Sequence, residues 1–172
     1  MDNMKRKAQV WSLDVIIGVS IFLAALVLFY VYAINFSDSN RETLIELKND
    51  GVYVSSNILS QGSPQNWNLT NVDVPGISMK NRINQSQLDL FYQLTLQDYN
   101  QTKRLLNTRF DMYFFFTNPL IANGTLIDGI GKPGLNRTTI FTQENPKRIL
   151  KVNRYVIYKN DATIMTVYLW EK

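Results

Sequence analysis

The chain has 172 residues, a net charge of +4 and 45% hydrophobic residues, enough for one domain with its own core. It contains no Cys and no His, so disulfides, thiolate chemistry and histidine-based acid–base or metal chemistry are excluded. These absences argue against an enzyme, and we expect no cofactor and no metal. The charge is too mild to indicate nucleic-acid binding.

A basic cluster, Lys5 to Lys7, precedes an uncharged apolar run from Val15 to Ile34. As a helix, this run of 20 residues is about 30 Å long, the thickness of the hydrocarbon core of a bilayer. A secretory signal has a shorter apolar region, of roughly 7–15 residues, and a small-residue cleavage site. This run ends instead in aromatic residues. We expect a membrane anchor with its basic end in the cytoplasm and the chain from about Asn35 outside.

Asp14 lies at the start of the apolar run. A carboxylate at the centre of a bilayer costs about 2.5–3.5 kcal/mol. Its side chain has two ways to avoid that cost: it reaches back to the inner interface, or it meets a positive group within the membrane. An N-terminal amine newly made by proteolysis is one such group.

The segment KRKAQVWSLD resembles the class III leader of archaeal type IV pilin-like proteins. In that family a prepilin-type peptidase removes a short basic leader before Gln and leaves the apolar helix in place. The resemblance implies a leader at 1–8 and a processing site at Lys7, Ala8 and Gln9. It also implies that Asp14 faces the N-terminal amine of a neighbouring subunit. Asp14 is sixth after this cut, whereas the family usually has Glu at the fifth position.

Helices of that family pack side by side as the core of a filament. The resemblance therefore implies other pilin-like subunits as partners and an assembly helix at 9–36. It further implies that this long hydrophobic helix extends, through an amphipathic part at 37–62, into an extracytoplasmic head at 63–172. The head of such proteins is α+β, with a mostly antiparallel sheet.

Apolar residues also recur at helical spacing after the anchor, which predicts an amphipathic helix lying on a sheet. They are Leu44, Leu47, Val54, Ile58 and Leu59. Gly62 followed by Pro64 predicts the end of this helix. The following loop is rich in Gly, Pro, Asn and Ser, and Trp67 within it is a candidate to close the edge of the core. Short helices are predicted at Gln85–Gln93 and Gln97–Asn107.

The next part of the chain combines a strand pattern with turn signals. The aromatic density of 109–118 predicts a central strand, in which Asp111 faces solvent near Arg109. Glycines and a proline predict a turn at Gly129–Gly134, where the proline argues against a phosphate-binding loop. Residues 137–143 predict an edge strand.

Two strong strand patterns, 148–160 and 161–172, predict a hairpin that turns at Lys159 to Asp161. A long helix followed by mostly antiparallel strands is an α+β arrangement. Basic residues gather in this hairpin: Lys147, Arg148, Lys151, Arg154 and Lys159. Such a run is typical of a solvated edge that discourages aggregation; the alternative is attraction of an acidic surface or a polysaccharide.

Asn-X-Ser/Thr sequons are unusually frequent, since about two are expected by chance from 18 Asn and 22 Ser plus Thr. Six occur, all after the apolar run: Asn35, Asn68, Asn84, Asn100, Asn123 and Asn136. The excess indicates candidate N-glycosylation sites on an exterior surface. The alternative is that these residue types simply crowd loops.

Three functions fit these patterns. The resemblance implies a structural subunit, major or minor, of an archaeal type IV pilus or related filament, and this is the function we expect. The alternative is a non-polymerising anchored surface protein whose head binds a partner or the cell envelope. A third hypothesis is an anchored hydrolase built on a Ser–Lys pair, with Ser55 or Ser56 as the nucleophile. The residues flanking these serines carry no nucleophile signature.

Overall fold

The structure is a computed structural model that describes the backbone of residues 2–80 and 82–172. Side chains are described for residues 13–34, 42–80 and 82–172. Four residues predicted above to carry a function lie outside the described side chains: Lys7, Ala8, Gln9 and Asn35.

One helix, α1, runs from Asp2 to Ile58. No proline interrupts it, so each turn keeps its backbone hydrogen bonds. The chain forms two compact units, and α1 contributes to both; the second unit begins at Leu44. In the first unit, every side chain from 13 to 34 is exposed to solvent. The predicted N-terminal apolar helix is confirmed.

In the second unit, the last turns of α1 pack against the sheet. Leu47, Gly51, Val54 and Ile58 recur at helical spacing and are all buried. A Cβ atom at Gly51 would come within 2.2 Å of the Leu150 side chain, so the helix backbone lies close to the sheet. The predicted amphipathic stripe is confirmed from Leu47 to Ile58. Leu59, predicted in the same stripe, is half-buried in the turn after the helix.

Leu44, predicted as part of the same stripe, is 57% exposed, so the prediction is wrong at this residue. Helical spacing places Leu44 near the buried face, but Leu47 is the first residue of that face that the core covers. Periodicity shows which face is apolar and does not show how far along the helix the sheet extends.

In the part of the chain that the structure describes, eight strands follow in chain order. They are β1 (Ser78–Met79), β2 (Arg82–Ile83), β3 (Asp111–Phe116), β4 (Leu120–Ala122), β5 (Thr125–Ile127), β6 (Ile130–Gly131), β7 (Arg148–Tyr158) and β8 (Asp161–Glu171). Six of them form one sheet in the order β1-β2-β7-β8-β3-β6, and β4 and β5 form a separate pair. Among the described strands, β2 and β7 are the only parallel pair, so the α+β class with a mostly antiparallel sheet is confirmed.

The predicted hairpin is the longest pairing in the sheet. It joins β7 and β8 along their whole length, from Arg148 opposite Glu171 to Tyr158 opposite Asp161. The turn lies at Lys159 and Asn160, whose φ angles are 51° and 69°. Two left-handed residues suit the right-handed twist of a two-residue hairpin.

Both predicted helices of the head are present. The first, α2, runs from Gln85 to Gln97, four residues longer than predicted. Asn84 is its N-cap, and the Asn84 side chain accepts the N–H groups of Ser86 and Gln87. The second, α3, runs from Tyr99 to Leu105 and is capped in the same way by Asp98.

The predicted edge strand at 137–143 is wrong. Instead of a strand, this part of the chain contains a short π-helical segment from Ile140 to Glu144. Asn136 Oδ1 accepts the N–H groups of Thr138 and Thr139 at 3.0 and 2.8 Å, which offers the backbone a turn in place of strand pairing. The turn-rich stretch before it contains three strands, β4 to β6, that were not predicted.

The core lies between the sheet, α1 and α2. Aromatic rings of β3 and α2 stack edge to face, with the centroids of Phe91 and Phe114 5.5 Å apart. Trp67 closes one end, as predicted, and donates Nε1–H to the Gly76 carbonyl at 3.0 Å. A smaller cluster on the other face of the sheet contains Tyr113, Ile140 and Trp170. The sheet is thus covered, at least in part, on both faces.

We predict that Phe114→Ala lowers the free energy of unfolding by about 3–5 kcal/mol, because it leaves a cavity in the centre of the core. Denaturant unfolding of the full chain in a neutral detergent measures this loss. Phe141→Ala is the matched control, since the Phe141 side chain is 48% exposed, and it should cost less than about 1 kcal/mol. Equal losses for the two variants would contradict the described core.

Candidate functional site

The most distinctive surface is the apolar segment of α1 from Leu13 to Ile34, called the apolar segment below. It has 22 residues, and none of its side chains is buried by the rest of the described chain. As a helix it is about 33 Å long, enough to cross the hydrocarbon core of a bilayer. An N-terminal signal sequence and a helix buried in a protein core can meet the same criteria of length and composition.

Polar groups in the apolar segment are few. Ser20 donates its hydroxyl to the Ile16 carbonyl at 2.8 Å, so this polar group is satisfied within the helix. Asp14 is exposed in the first turn of the segment. In an apolar environment, the Asp14 carboxylate would therefore need either a positively charged partner or a position at the membrane–water interface.

Two sequons form compact local turns. Asn68 Oδ1 accepts the N–H and the hydroxyl of Thr70 at 2.9 and 2.7 Å. Asn136 Oδ1 accepts the same two groups of Thr138 at 3.0 and 2.7 Å. These bonds use the side-chain oxygen, whereas an N-linked glycan is attached through the side-chain nitrogen.

The other described sequons lie in regular elements or tight turns. Asn84 is half-buried as the cap of α2, and Asn100 is exposed in the first turn of α3. Asn123 is exposed in the β4–β5 turn, with a φ of 49°. All five described sequons lie in the second unit. Their modification stays a prediction.

An ion cluster joins five segments of the head. Lys103 Nζ and Lys132 Nζ contact the two Asp111 oxygens at 2.9 and 2.8 Å. Lys132 Nζ also contacts Glu144 Oε2 at 2.6 Å, and Lys172 Nζ contacts the same oxygen at 3.1 Å. The Asp111 side chain is 16% exposed. We call these five residues the Asp111 cluster.

The Asp111 cluster shifts the pKa of its members. Burial acts to raise the pKa of the Asp111 carboxyl, but hydrogen bonds from Lys132 and Lys103 outweigh it and lower that pKa below the ordinary value. Burial likewise opposes the ionised form of Glu144, and its hydrogen bonds from Lys132 and Lys172 lower its pKa. Both carboxylates therefore stay charged at neutral pH. Their ion pairs with the lysines connect the segments of the cluster.

The prediction that Asp111 faces solvent near Arg109 is wrong. Asp111 is opposite Trp170 in the sheet, on the same face of β3 as Tyr113. The second core cluster covers this face, and Lys132 comes from the loop next to it. Arg109 instead pairs with Glu46 of α1. The alternation along β3 predicts which residues share this face. It does not predict that the face is buried, because the π-helical segment that helps to cover it was not predicted.

The two serines of the hydrolase hypothesis lie in the last turns of α1. Ser55 is buried, and Ser55 and Ser56 both donate to the Val52 carbonyl, at 3.0 and 2.8 Å. The Arg154 guanidinium in turn donates to both serine oxygens, at 3.1 and 3.2 Å. Within the described side chains, neither serine is hydrogen-bonded to a lysine.

Comparisons with known proteins identify no relative. No protein-family model, no curated protein and no solved structure matches the chain. Function is therefore inferred from the apolar segment, the head and the sequence motif before them.

We predict that Asp111→Asn lowers the free energy of unfolding by roughly 2–3 kcal/mol at pH 7, because Lys103 loses its charged partner and Lys132 keeps only Glu144. Since the pKa of Asp111 is lowered on folding, its contribution is present above the ordinary carboxyl pKa of about 4 and is lost as the pH falls through the folded value. The stability difference between wild type and variant should therefore shrink in acid.

Denaturant unfolding at neutral pH and at about pH 3 measures this difference. Asp73→Asn is the matched control, because Asp73 is exposed in the loop after α1. A difference between wild type and Asp111→Asn that stays constant across this range would contradict an electrostatic role for Asp111.

Proposed function

We propose that the chain is a pilin-like subunit, major or minor, of an archaeal type IV pilus or related filament. It assembles through its N-terminal hydrophobic helix, and its head lies outside the cytoplasm. The observation that carries the proposal is the uncovered apolar segment, which belongs to the same helix, α1, whose last turns hold the sheet of the head. The KRKAQVWSLD motif directly before this segment supports it.

Physical chemistry explains why such a segment serves both a membrane and a filament. Each large apolar side chain gains about 1.5–3 kcal/mol when it is removed from water. A bilayer removes the whole segment from water, and so does a bundle of identical helices. The chain is therefore stored in the membrane and transferred to the filament, without a stage in which the segment is exposed to water. The hydrogen bond inside the helix from Ser20 suits both environments.

Cleavage between Ala8 and Gln9 changes the charge at the start of the helix. It removes Lys5, Arg6 and Lys7 and creates a new amine on Gln9. The Asp14 carboxylate then pairs with such an amine on a neighbouring subunit, which sets the register between adjacent helices. This pairing also removes the cost of placing a carboxylate in an apolar bundle.

We predict that the chain isolated from its native filaments begins at Gln9. Mass spectrometry of the N-terminal peptide measures this directly, since residues 1–8 would be absent. A chain that keeps the intact N-terminus and remains in the membrane would favour the non-polymerising anchor. Filaments that contain the uncut chain would contradict the proposed processing site.

We further predict that Asp14→Ala reduces incorporation into filaments by about tenfold or more, while insertion into the membrane is unchanged. Immunoblots of sheared filaments and of membranes measure the two quantities. Glu42→Ala is the matched control, because it removes an exposed carboxylate outside the apolar segment. Unchanged incorporation of Asp14→Ala would exclude the proposed pairing.

A further inference from the structure

One edge of the sheet in the head is open. On one side, β7 pairs with β8 along its whole length. On the other side, within the described residues, β2 pairs with it at Ile157, opposite Arg82. Within the described part of the chain, residues 149–155 have no strand partner on this side. We call this open side the β7 edge. Its backbone N–H and C=O groups are a template for a further strand.

The β7 edge carries positive charge that the head does not neutralise. The Arg154 guanidinium donates only to neutral oxygens, those of Ser55, Ser56 and Val52, at 3.1, 3.2 and 3.4 Å. Lys151 is exposed. Among the described side chains, neither Lys151 nor Arg154 has a carboxylate within 4.0 Å. By contrast, the lysines of the Asp111 cluster are all paired.

The surroundings of the β7 edge suit a peptide. A cleft of about 460 Å³ lies where the end of α1 meets β7, and Ser56, Leu59, Asn153, Arg154 and Tyr155 line it. Tyr155 is 82% exposed, although a tyrosine ring gains free energy when it is covered. Apolar, hydroxyl, amide and guanidinium groups thus line one cleft between α1 and β7.

We propose that the β7 edge binds an extended acidic peptide segment of another protein, which adds to the sheet as a further strand. Main-chain hydrogen bonds would supply affinity, and pockets for alternate side chains would supply specificity. Lys151 and Arg154 point to opposite faces because they are three residues apart on a strand. A matching peptide therefore carries two acidic residues at the same spacing, one for each cation.

Charge decides between this occupant and a second copy of the chain. If two β7 edges paired with each other, Lys151 and Arg154 of both copies would be brought into one strand pair, where like charges repel. An acidic strand has the complementary charge. All residues of the β7 edge belong to the second unit, so this inference does not depend on the proposed filament function.

The test uses the full chain in neutral detergent micelles and a fluorescent peptide, acetyl-Val-Glu-Val-Thr-Glu-Val-amide. We expect fluorescence anisotropy to show saturable binding, and the same peptide with both Glu replaced by Lys not to bind. Lys151→Glu should weaken binding by about tenfold, whereas the control Lys48→Glu, an exposed lysine of α1, should leave it unchanged. Hydrogen exchange should slow at amides within 149–155.

Three results would overturn the proposal. The first is absence of binding at millimolar peptide. The second is equal binding of a peptide whose alternate amides are N-methylated, because strand addition needs those N–H groups whereas charge attraction alone does not. The third is binding of an acidic polysaccharide, polygalacturonate, that displaces the peptide without slowing exchange at 149–155. That result would make the surface a polyanion site.

Discussion

The close packing of α1 on the sheet is the constraint on which the head depends. Leu47, Val54 and Ile58 lie in the main core cluster, and Gly51 lets the helix approach so closely that a Cβ atom there would overlap the Leu150 side chain. A helix and a sheet each need to bury an apolar face, and here they bury each other's. The Glu46–Arg109 pair and the hydrogen bond from Thr108 to Asp50 add polar contacts from α1 to the segment that leads into β3.

The same helix also contains the apolar segment, and this division of α1 is the basis of the functional account. The sheet and α2 cover the apolar face of its last turns. In the apolar segment, none of the side chains is covered by the described part of the chain. Exposed apolar area of this extent is costly in water, so the segment calls for a lipid or protein environment that the described part of the chain does not provide. A filament subunit that is first anchored in a membrane meets that requirement at each stage.

Much of the fold could be predicted from local pattern. The apolar run, the stripe through Val54 and Ile58, the two capped helices and the hairpin at Lys159 all depend on neighbours within a few residues, and all are confirmed. Two of the misses, at Leu44 and Asp111, depend on distant contacts. The exposure of Leu44 reflects where the sheet ends, and the environment of Asp111 depends on Lys132 and Glu144, which only the folded chain brings together. At 137–143, the side chain of Asn136 outweighed strand propensity through local hydrogen bonds.

The most direct test of the central claim asks whether the apolar segment stays attached to the head in the cell. Membranes from the native source are extracted with alkaline carbonate, and the protein in pellet and supernatant is analysed by intact mass and peptide mapping. The account predicts that the protein remains in the pellet or in sheared filaments, with the segment from Leu13 to Ile34 in the same chain as the head. A head that begins after Ile34 and is released into the supernatant would contradict it.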